Sequence, residues 1–555
     1  MTTLRYHDDD LLSPEQRAAI MGPGAPFEIV EDDVQGARVQ VFAQRPPNLR
    51  AMLPEAAEKF GDRSFLVFSD HTITFAEFPA RVAAVADVLA RDYKLEHGDR
   101  LAIAAANCLE YVLVEWAALS LGVIVAGLNG WWTAEELAYG VELTQPAVLM
   151  GDDPRLTRIA EAGIDVGVPV VRLEDVLARA GESAVAALPT VEIDEDDPAL
   201  ILFTSGTTGR PKGATLSHRN IIHFGLANAF GRAVSAALAA RPSATGGAPA
   251  SVCGSPFFHI SGTAAILMSG PRFGSTIVFP PPGRWDPGTH LALTERHRVT
   301  SWSGVPTHYW RMLEHPDFET TDLSSLLSVG SGGTPFPPEL IRLIREKVHD
   351  VDVSNGYGAT ETTGVGTVIG GALSRARPDS VGPAVPTMQL QVRDADGSPD
   401  GRVLDEGEIG EVCIRGACVF LGYWGDPEAT EKSLYADRWY RTGDFGRIDD
   451  GVLYIDSRRE DLILRGGENI YPIEIEHRIV EHPDVVDAAV IGVPDRELGQ
   501  VVKAYVVTRE GVTLPEHEVQ EWVGKSLAGF KVPASVEFRT TLPYTETGKV
   551  MKHAL

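Results

Sequence analysis

Residues 202–213 read LFTSGTTGRPKG. An apolar run ending at Phe203 gives way to four hydroxyls (Thr204, Ser205, Thr207, Thr208), three glycines (Gly206, Gly209, Gly213) and two cations (Arg210, Lys212). Glycines let backbone N–H groups converge on an anion, hydroxyls donate to its oxygens, and Lys or Arg offsets its charge, so the run reads as a polyphosphate cradle. It lacks the Gly-Lys-Ser/Thr ending of a Walker A loop and the spacing of a dinucleotide fingerprint, so neither of those nucleotide folds is supported. Taken alone, the loop could also be a polar turn between a strand and a helix.

A cradle needs a strand to lead into it and a helix to follow, and the flanking sequence supplies both. Upstream, residues 101–104, 123–126 and 148–150 are β-like and alternate with helical patterns over 110–121 and after Thr133, where Thr133 and Glu136 form a capping box. This βαβαβ rhythm predicts a parallel sheet with helices on both faces. A helix is predicted after Ser217, then a second alternating region with an Ala/Gly/Pro-rich loop near 242–250, short β-like runs over 390–454, and a closing pattern of helix, strand, strand, helix, strand. The expected fold is α/β: a large N-terminal domain of parallel-sheet subdomains plus a small β subdomain, then a small mobile α+β domain. Trp131 and Trp132, in a connecting loop, could line a ligand channel or serve as packing anchors.

At 555 residues the chain needs two or more domains. A net charge of −28 repels nucleic acid and anionic membrane, so an anionic ligand must be held by a local cluster of donors. Four scattered cysteines (Cys108, Cys253, Cys413, Cys418) make no disulfide framework and no zinc site, and read as buried thiols. The start, MTTLRYHDDDLLSPEQ, lacks the basic end and apolar core of a signal peptide, and the apolar region 101–128 is broken by Asn107, Glu110 and Glu115. A cytoplasmic enzyme with no integral membrane segment is expected.

Five further stretches accompany the loop: SGGTPFP (331–337), NGYGATET (355–362), WYRTGDFGRID (439–449), SRREDLILRGGENIYPIEIE (457–476) and LPYTETGKVMK (542–552). In this order they resemble the adenylate-forming superfamily of acyl-CoA synthetases, peptide-synthetase adenylation domains and beetle luciferases. GGENIYPIEIE and PFFHISG (256–262) resemble the fatty-acid and related acyl-CoA ligase branch. The resemblance implies domains at 1–459, binding nucleotide and acid, and 460–555, mobile and carrying the adenylation lysine.

It also implies roles. Thr204, Ser205, Gly206, Thr207, Thr208 and Lys212 would hold the β- and γ-phosphates of ATP. Glu361 would ligate Mg2+, a hard cation suited to a carboxylate and the substrate's own phosphates. Thr360 would donate to the α-phosphate or acyl carboxylate. Gly356 and Tyr357, with the backbone of Gly333, Thr334 and Pro335, would frame and stack adenine, while Asp444 would accept from the ribose hydroxyls and Arg458 would reach ribose or phosphate. Lys549 would bridge the carboxylate and the α-phosphate in the transition state. The hinge falls at Glu460, where the family usually has Asp or Lys; it also has Gly where this chain has Ser457. Gly466 and Gly467 would line the pantetheine tunnel of CoA.

The acid would sit against His259, a gate in the family pattern or a hydrogen-bonded core histidine, and against Gly262, Val305, Pro306, Thr307 and Gly332. These leave an apolar tunnel without the Asp that pairs with an amino acid's amine. The implied reaction is ATP- and Mg2+-dependent activation of a carboxylic acid, medium- or long-chain or similarly apolar, as acyl-AMP, followed by transfer to the co-substrate CoA. An aryl or branched acid, or a thiol on a separate carrier protein, is the alternative. A silent nucleotide-binding protein is disfavoured by Lys212, Glu361, Asp444 and Lys549 occurring together. The partners are the acid, ATP and CoA, with no nucleic acid; an oligomer is possible and a homodimer plausible.

Overall fold

The computed structural model describes residues 11–555 apart from 186, 205–209, 239–247, 334–335, 349–350, 395–400, 459–460, 462, 466–467, 471, 497 and 545–549. Its first large sheet has seven strands in the order Gly422–Tyr423, Lys212–Ser217, Pro198–Thr204, Ile124–Gly127, Arg100–Ala104, Val148–Gly151, Val170–Arg172. The last five run parallel, and the first two are antiparallel additions. Every residue of Ile124–Gly127 and Val148–Gly151 is buried, as expected where helices cover both faces. The capping box is formed: Thr133 Oγ1 accepts from the Glu136 N–H at 3.3 Å, and Glu136 returns the bond at 2.7 Å.

The second large sheet has eight strands, with Ser301–Gly304, Ser328–Gly332 and Asp352–Tyr357 parallel and in register. The register sets Gly332 beside Gly356, so the two glycine-rich motifs end at one edge of the sheet. A five-stranded antiparallel sheet built on Met388–Arg393, Gly410–Gly416, Trp439–Asp449 and Val452–Arg458 carries Asp444. The chain then changes sheet: Val452–Arg458 pairs with Trp439–Asp449, whereas Ile463–Arg465 pairs with Gly499–Thr508 in the C-terminal sheet. The helices Pro472–Val480 and Glu516–Gly524 pack in that C-terminal unit around Ile475, Ile479, Val490 and Val519.

The helix after Ser217 spans His218–Leu238 and is long and apolar enough to cross a bilayer by composition. Its packing is that of a core helix. His218, Arg219, Asn220 and His223 are all buried, and Arg219 pairs with Asp32, Glu195 and Asp196. Cys253, Cys413 and Cys418 are buried free thiols; Cys108, partly buried, caps a helix by accepting from the Tyr111 N–H.

Candidate active site

A cleft of about 3480 Å³ runs along the edges of both large sheets and is closed on another side by the C-terminal unit. Thr204 ends one strand and Lys212 begins the next, the two residues are directly paired, and both line the cleft; in sequence the loop between them is 205–211. The far foot of that loop is pinned. Tyr139 donates from its hydroxyl to the Pro211 carbonyl at 3.2 Å, and the Arg210 guanidinium lies 5.2 Å from the Tyr139 ring. Ser205, Gly206, Thr207 and Thr208 lie outside the described residues.

Next to this hairpin runs the short strand Gly422–Tyr423. It is stitched on by Leu421 N–H to Thr215 carbonyl and Trp424 N–H to Gly213 carbonyl, at 2.8 and 2.7 Å. That register brings the Tyr423 ring under Lys212, with Nζ 5.0 Å from its centroid. The Tyr423 hydroxyl donates to Glu361 Oε1 at 2.8 Å. Burial, reinforced by the Glu361 charge, pushes the Tyr423 phenol far above its ordinary range, so it stays protonated and remains a donor.

Glu361 sits in a single 3-10 turn, Thr360–Thr362, and is 6% exposed. The turn is held by Phe420 N–H to the Glu361 carbonyl at 2.9 Å and Thr363 Oγ1 to the Cys418 carbonyl at 2.8 Å. Thr360 and Glu361 both line the cleft. A buried carboxylate with a fixed hydrogen bond on one oxygen is a hard donor that fits Mg2+ held chiefly by phosphates.

At the glycine-rich sheet edge, the Tyr357 hydroxyl donates to Asp444 Oδ2 at 2.6 Å. Asp444 is 8% exposed, and its backbone N–H donates to Thr442 Oγ1. Arg458 is the cross-strand neighbour of Asp444. Gly333 and Gly356 line the cleft; Thr334 and Pro335 lie outside the described residues. Ser331 Oγ and Asn355 Oδ1 are buried in this wall without a hydrogen-bond partner among the described residues. Buried polar atoms are normally satisfied, so a ligand edge is the natural partner for these two. Asn355, Ser331 and Tyr423 were not singled out in the sequence: the first two lie inside quoted motifs, and a lone tyrosine in GYW carries no signal of its own.

His259 caps the helix Ile260–Ala264 through its backbone, and its carbonyl accepts from the Gly262 N–H. Burial holds its imidazole below the usual range, so it is neutral at pH 7. Val305, Thr307 and Gly332 line the cleft with it, as do Trp131 and Trp132. Gly262 is absent from that surface; a Cβ there would lie 2.1 Å from the Pro256 carbonyl oxygen, so this glycine permits the tight Pro256–Gly262 approach. Beyond Ala264 the helix becomes a π-helical turn, Ala265–Ser269, which also meets the cleft. Pro271 one turn later has no N–H to give, and such turns recur at functional sites.

From the C-terminal unit, residues 486–491, Glu476, Tyr544 and 550–552 face the same cleft. Tyr544 and Val550, which flank the segment carrying Lys549 in sequence, are bridged to each other and both line the cleft. Lys549, Glu460, Gly466 and Gly467 lie outside the described residues.

Comparisons with known proteins agree with this architecture. The family model for AMP-binding enzymes matches residues 53–424, and that for the AMP-binding enzyme C-terminal domain matches 474–549. A mitochondrial medium-chain acyl-CoA ligase of Danio rerio is 33% identical, over 91% of this chain and 87% of its own length. A feruloyl-CoA synthase of an Amycolatopsis species is 34% identical, over 86% and 92%. The crystal structure of ATP-bound MatB from Rhodopseudomonas palustris superposes with a TM-score of 0.80 at 32% identity, covering 91% of this chain and 98% of that one. With both family models matched in sequence order and Lys212, Tyr357, Glu361 and Asp444 gathered on one cleft, the chain belongs to the AMP-binding enzyme family, the adenylate-forming superfamily, as an AMP-forming acid–CoA ligase.

Proposed function

We propose that this enzyme activates a carboxylic acid with a largely apolar body, medium- or long-chain, and passes the acyl group to CoA. The observation that carries the reading is that one cleft gathers Lys212, Glu361, Tyr357 and Asp444 together with Tyr544 and Val550, which flank Lys549 in sequence.

In the first step a carboxylate oxygen attacks the α-phosphorus of ATP and pyrophosphate leaves. Two anions must meet, so positive charge and donors on both sides of the phosphorus lower the barrier. Lys212 and the hairpin loop hold the departing phosphates, and the cation–π contact with Tyr423 keeps the ammonium from swinging into solvent. Glu361, with Thr360 beside it, holds Mg2+, which supplies charge neutralisation on the phosphates when bound. Tyr357 stacks on the base and Asp444 accepts from the ribose, each fixed by their mutual hydrogen bond; Asn355 Oδ1 accepts from the exocyclic amine of adenine. Lys549 bridges the two reacting anions as a point charge.

In the second step the CoA sulfur attacks the acyl carbon and AMP leaves. The C-terminal unit, 460–555, turns about Glu460 between the two steps, and Gly466 and Gly467 line the pantetheine path. The neutral His259 ring stands between acid and nucleotide without adding a charge that would trap the acyl-adenylate. An aryl acid is the second reading, favoured by Trp285 stacked on His308 at 4.2 Å in the cleft wall and by the feruloyl-CoA synthase relative. A cytoplasmic site of action and a homodimer belong to the same proposal, checked by fractionation and by sedimentation of the purified chain.

The test is a panel of fatty, branched and aromatic acids scored by pyrophosphate release. AMP rather than ADP should accumulate, and acyl-CoA should form only with CoA present. CoA-independent transfer to a carrier protein would sink the assignment of the acceptor.

A further inference from the structure

One wall of the cleft is the long helix His218–Leu238, whose lining residues include Phe224, Ala227, Asn228, Gly231, Arg232 and Ser235, with Phe230 and Ala236 beside them. The first six recur at helical spacing as one stripe, and Asn228, Arg232 and Ser235 are its polar members. Packed beside it run three contiguous segments, Ile260–Ala264, Ala265–Ser269 and Gly270–Phe273, which together make a rod roughly 20 Å long at about 1.5 Å per residue. The two walls touch in register. Gly225 makes room for Met268, whose Cε would lie 1.9 Å from a Cβ at that site, and the Arg232 guanidinium lies 4.8 Å from the Phe273 ring centroid. His259 stands at the start of the rod and Arg232 packs at its end.

Arg232 pairs with no carboxylate among the described residues. It is reached by solvent, yet the protein around it lowers its pKa through desolvation, as befits a cation in the wall of a deep cleft. Two residues past Phe273, the 3%-exposed Ser275 also lines the cleft, and its Oγ has no partner among the described residues. The guanidinium is open to water, whereas the Ser275 hydroxyl is buried without a partner among the described residues, and a ligand group in the cleft would pair with both. A guanidinium in that position matches a carboxylate through paired N–H donors.

We propose that Arg232 reads the far end of the acid, and that the preferred substrate is a long acyl chain with a second carboxylate at the end remote from the one activated. This rests on the acyl-CoA ligase reading above, and it narrows the substrate from an apolar acid to an α,ω-dicarboxylic one.

The experiment compares hexadecanedioic with hexadecanoic acid on the full chain, by pyrophosphate release and by equilibrium binding. The diacid should be favoured by ~10-fold or more in kcat/KM, a preference that Arg232→Met collapses and Arg232→Lys partly restores. Arg232→Glu should instead prefer 16-aminohexadecanoic acid over the diacid. A diacid-to-monoacid ratio unmoved by Arg232→Met overturns the proposal, as does a raised KM for CoA with that ratio unchanged, which would give the guanidinium to the CoA phosphates. Binding separates the two layers of inference. Selective, Arg232-dependent binding of the diacid without turnover supports the subsite and sinks the ligase reading; turnover of hexadecanoic acid without selectivity sinks the subsite and leaves the ligase reading standing.

Discussion

The hydroxyl of Tyr423 donates to Glu361 Oε1 at 2.8 Å while the same ring lies 5.0 Å beneath Lys212 Nζ. One side chain thus couples the foot of the phosphate loop to the carboxylate assigned to magnesium. Tyr423→Phe keeps the ring and removes the donor, leaving Glu361 without its buried partner. Roughly a tenfold loss in kcat/KM for MgATP is expected, with a rise in the Mg2+ concentration needed for half-maximal rate. Tyr423→Leu removes the ring too and should lose more. Equal effects of the two substitutions would refute the dual role.

Tyr357 and Asp444 hold each other at 2.6 Å. Asp444→Asn keeps the shape but removes the charge-assisted acceptor, so the KM for ATP should rise by ~10-fold or more while the KM for the acid moves little. Tyr357→Phe keeps the stacking face and should be milder than Tyr357→Ala. Nucleotide and acid saturation curves measured side by side check this.

Lys552 Nζ lies 2.6 Å from Glu476 Oε1, which also accepts from the Val490 N–H at 2.8 Å. The ion pair ties the chain just after Lys549 to the helix Pro472–Val480 and the strand Val485–Asp495. We expect Lys552→Met to slow pyrophosphate release several-fold, because a contact that positions the chain just past Lys549 is lost. Thioester formation from supplied acyl-adenylate should change less. Equal slowing of both half-reactions would show a general loss of structure instead.

Glu115 is buried in the core, accepts from Thr263 Oγ1 at 2.6 Å, and its Oε2 has no partner among the described residues. Burial pushes its carboxyl up to about 8. A carboxyl raised in the folded state binds a proton there that the unfolded chain has already released. Its stabilising contribution is therefore complete below the ordinary carboxylate range and lost as pH rises towards about 8, at roughly 1.4 kcal/mol per pH unit. Glu115→Gln mimics the protonated form and should flatten that decline, raising the melting temperature at pH 8 more than at pH 5. A substitution equally neutral or harmful at both values would contradict the protonated state.

Acid should act through the histidines. Burial lowers His218 and His308 to about 4, and His223 and His290 to about 3. A depressed pKa means the folded chain resists a proton the unfolded chain accepts. The stability these four contribute is intact above the ordinary imidazole range near 6.5 and falls as pH drops towards 3. Denaturant midpoints measured at pH 7, 6 and 5 should fall in that order, and replacing buried His223 by Gln should lessen the slope.

The elements were largely legible because their periodicities are local. Alternating apolar runs and the Thr133–Glu136 box marked strand and helix positions to within a few residues, since each rests on neighbours three or four apart. Long-range facts left weaker traces. The helix His218–Leu238 has the composition of a membrane span, and only its packing, with Arg219 among Asp32, Glu195 and Asp196, makes it a core helix. Gly262, expected on the acyl wall, is spent on a close approach to Pro256, a backbone contact that no spacing rule encodes.

In the sequence, the order of six motifs carried the resemblance to the adenylate-forming superfamily, and through it the roles proposed for Lys212, Glu361, Asp444 and Lys549; the charge and donor types of those side chains are local properties that fit such roles. Tertiary structure alone decided which groups share a surface. Strand register brings Tyr423 between Lys212 and Glu361, parallel pairing sets Gly332 beside Gly356, and helix packing sets Arg232 against Phe273. Such pairings join residues up to more than two hundred positions apart, and they depend on how sheets and helices pack, which local pattern does not carry.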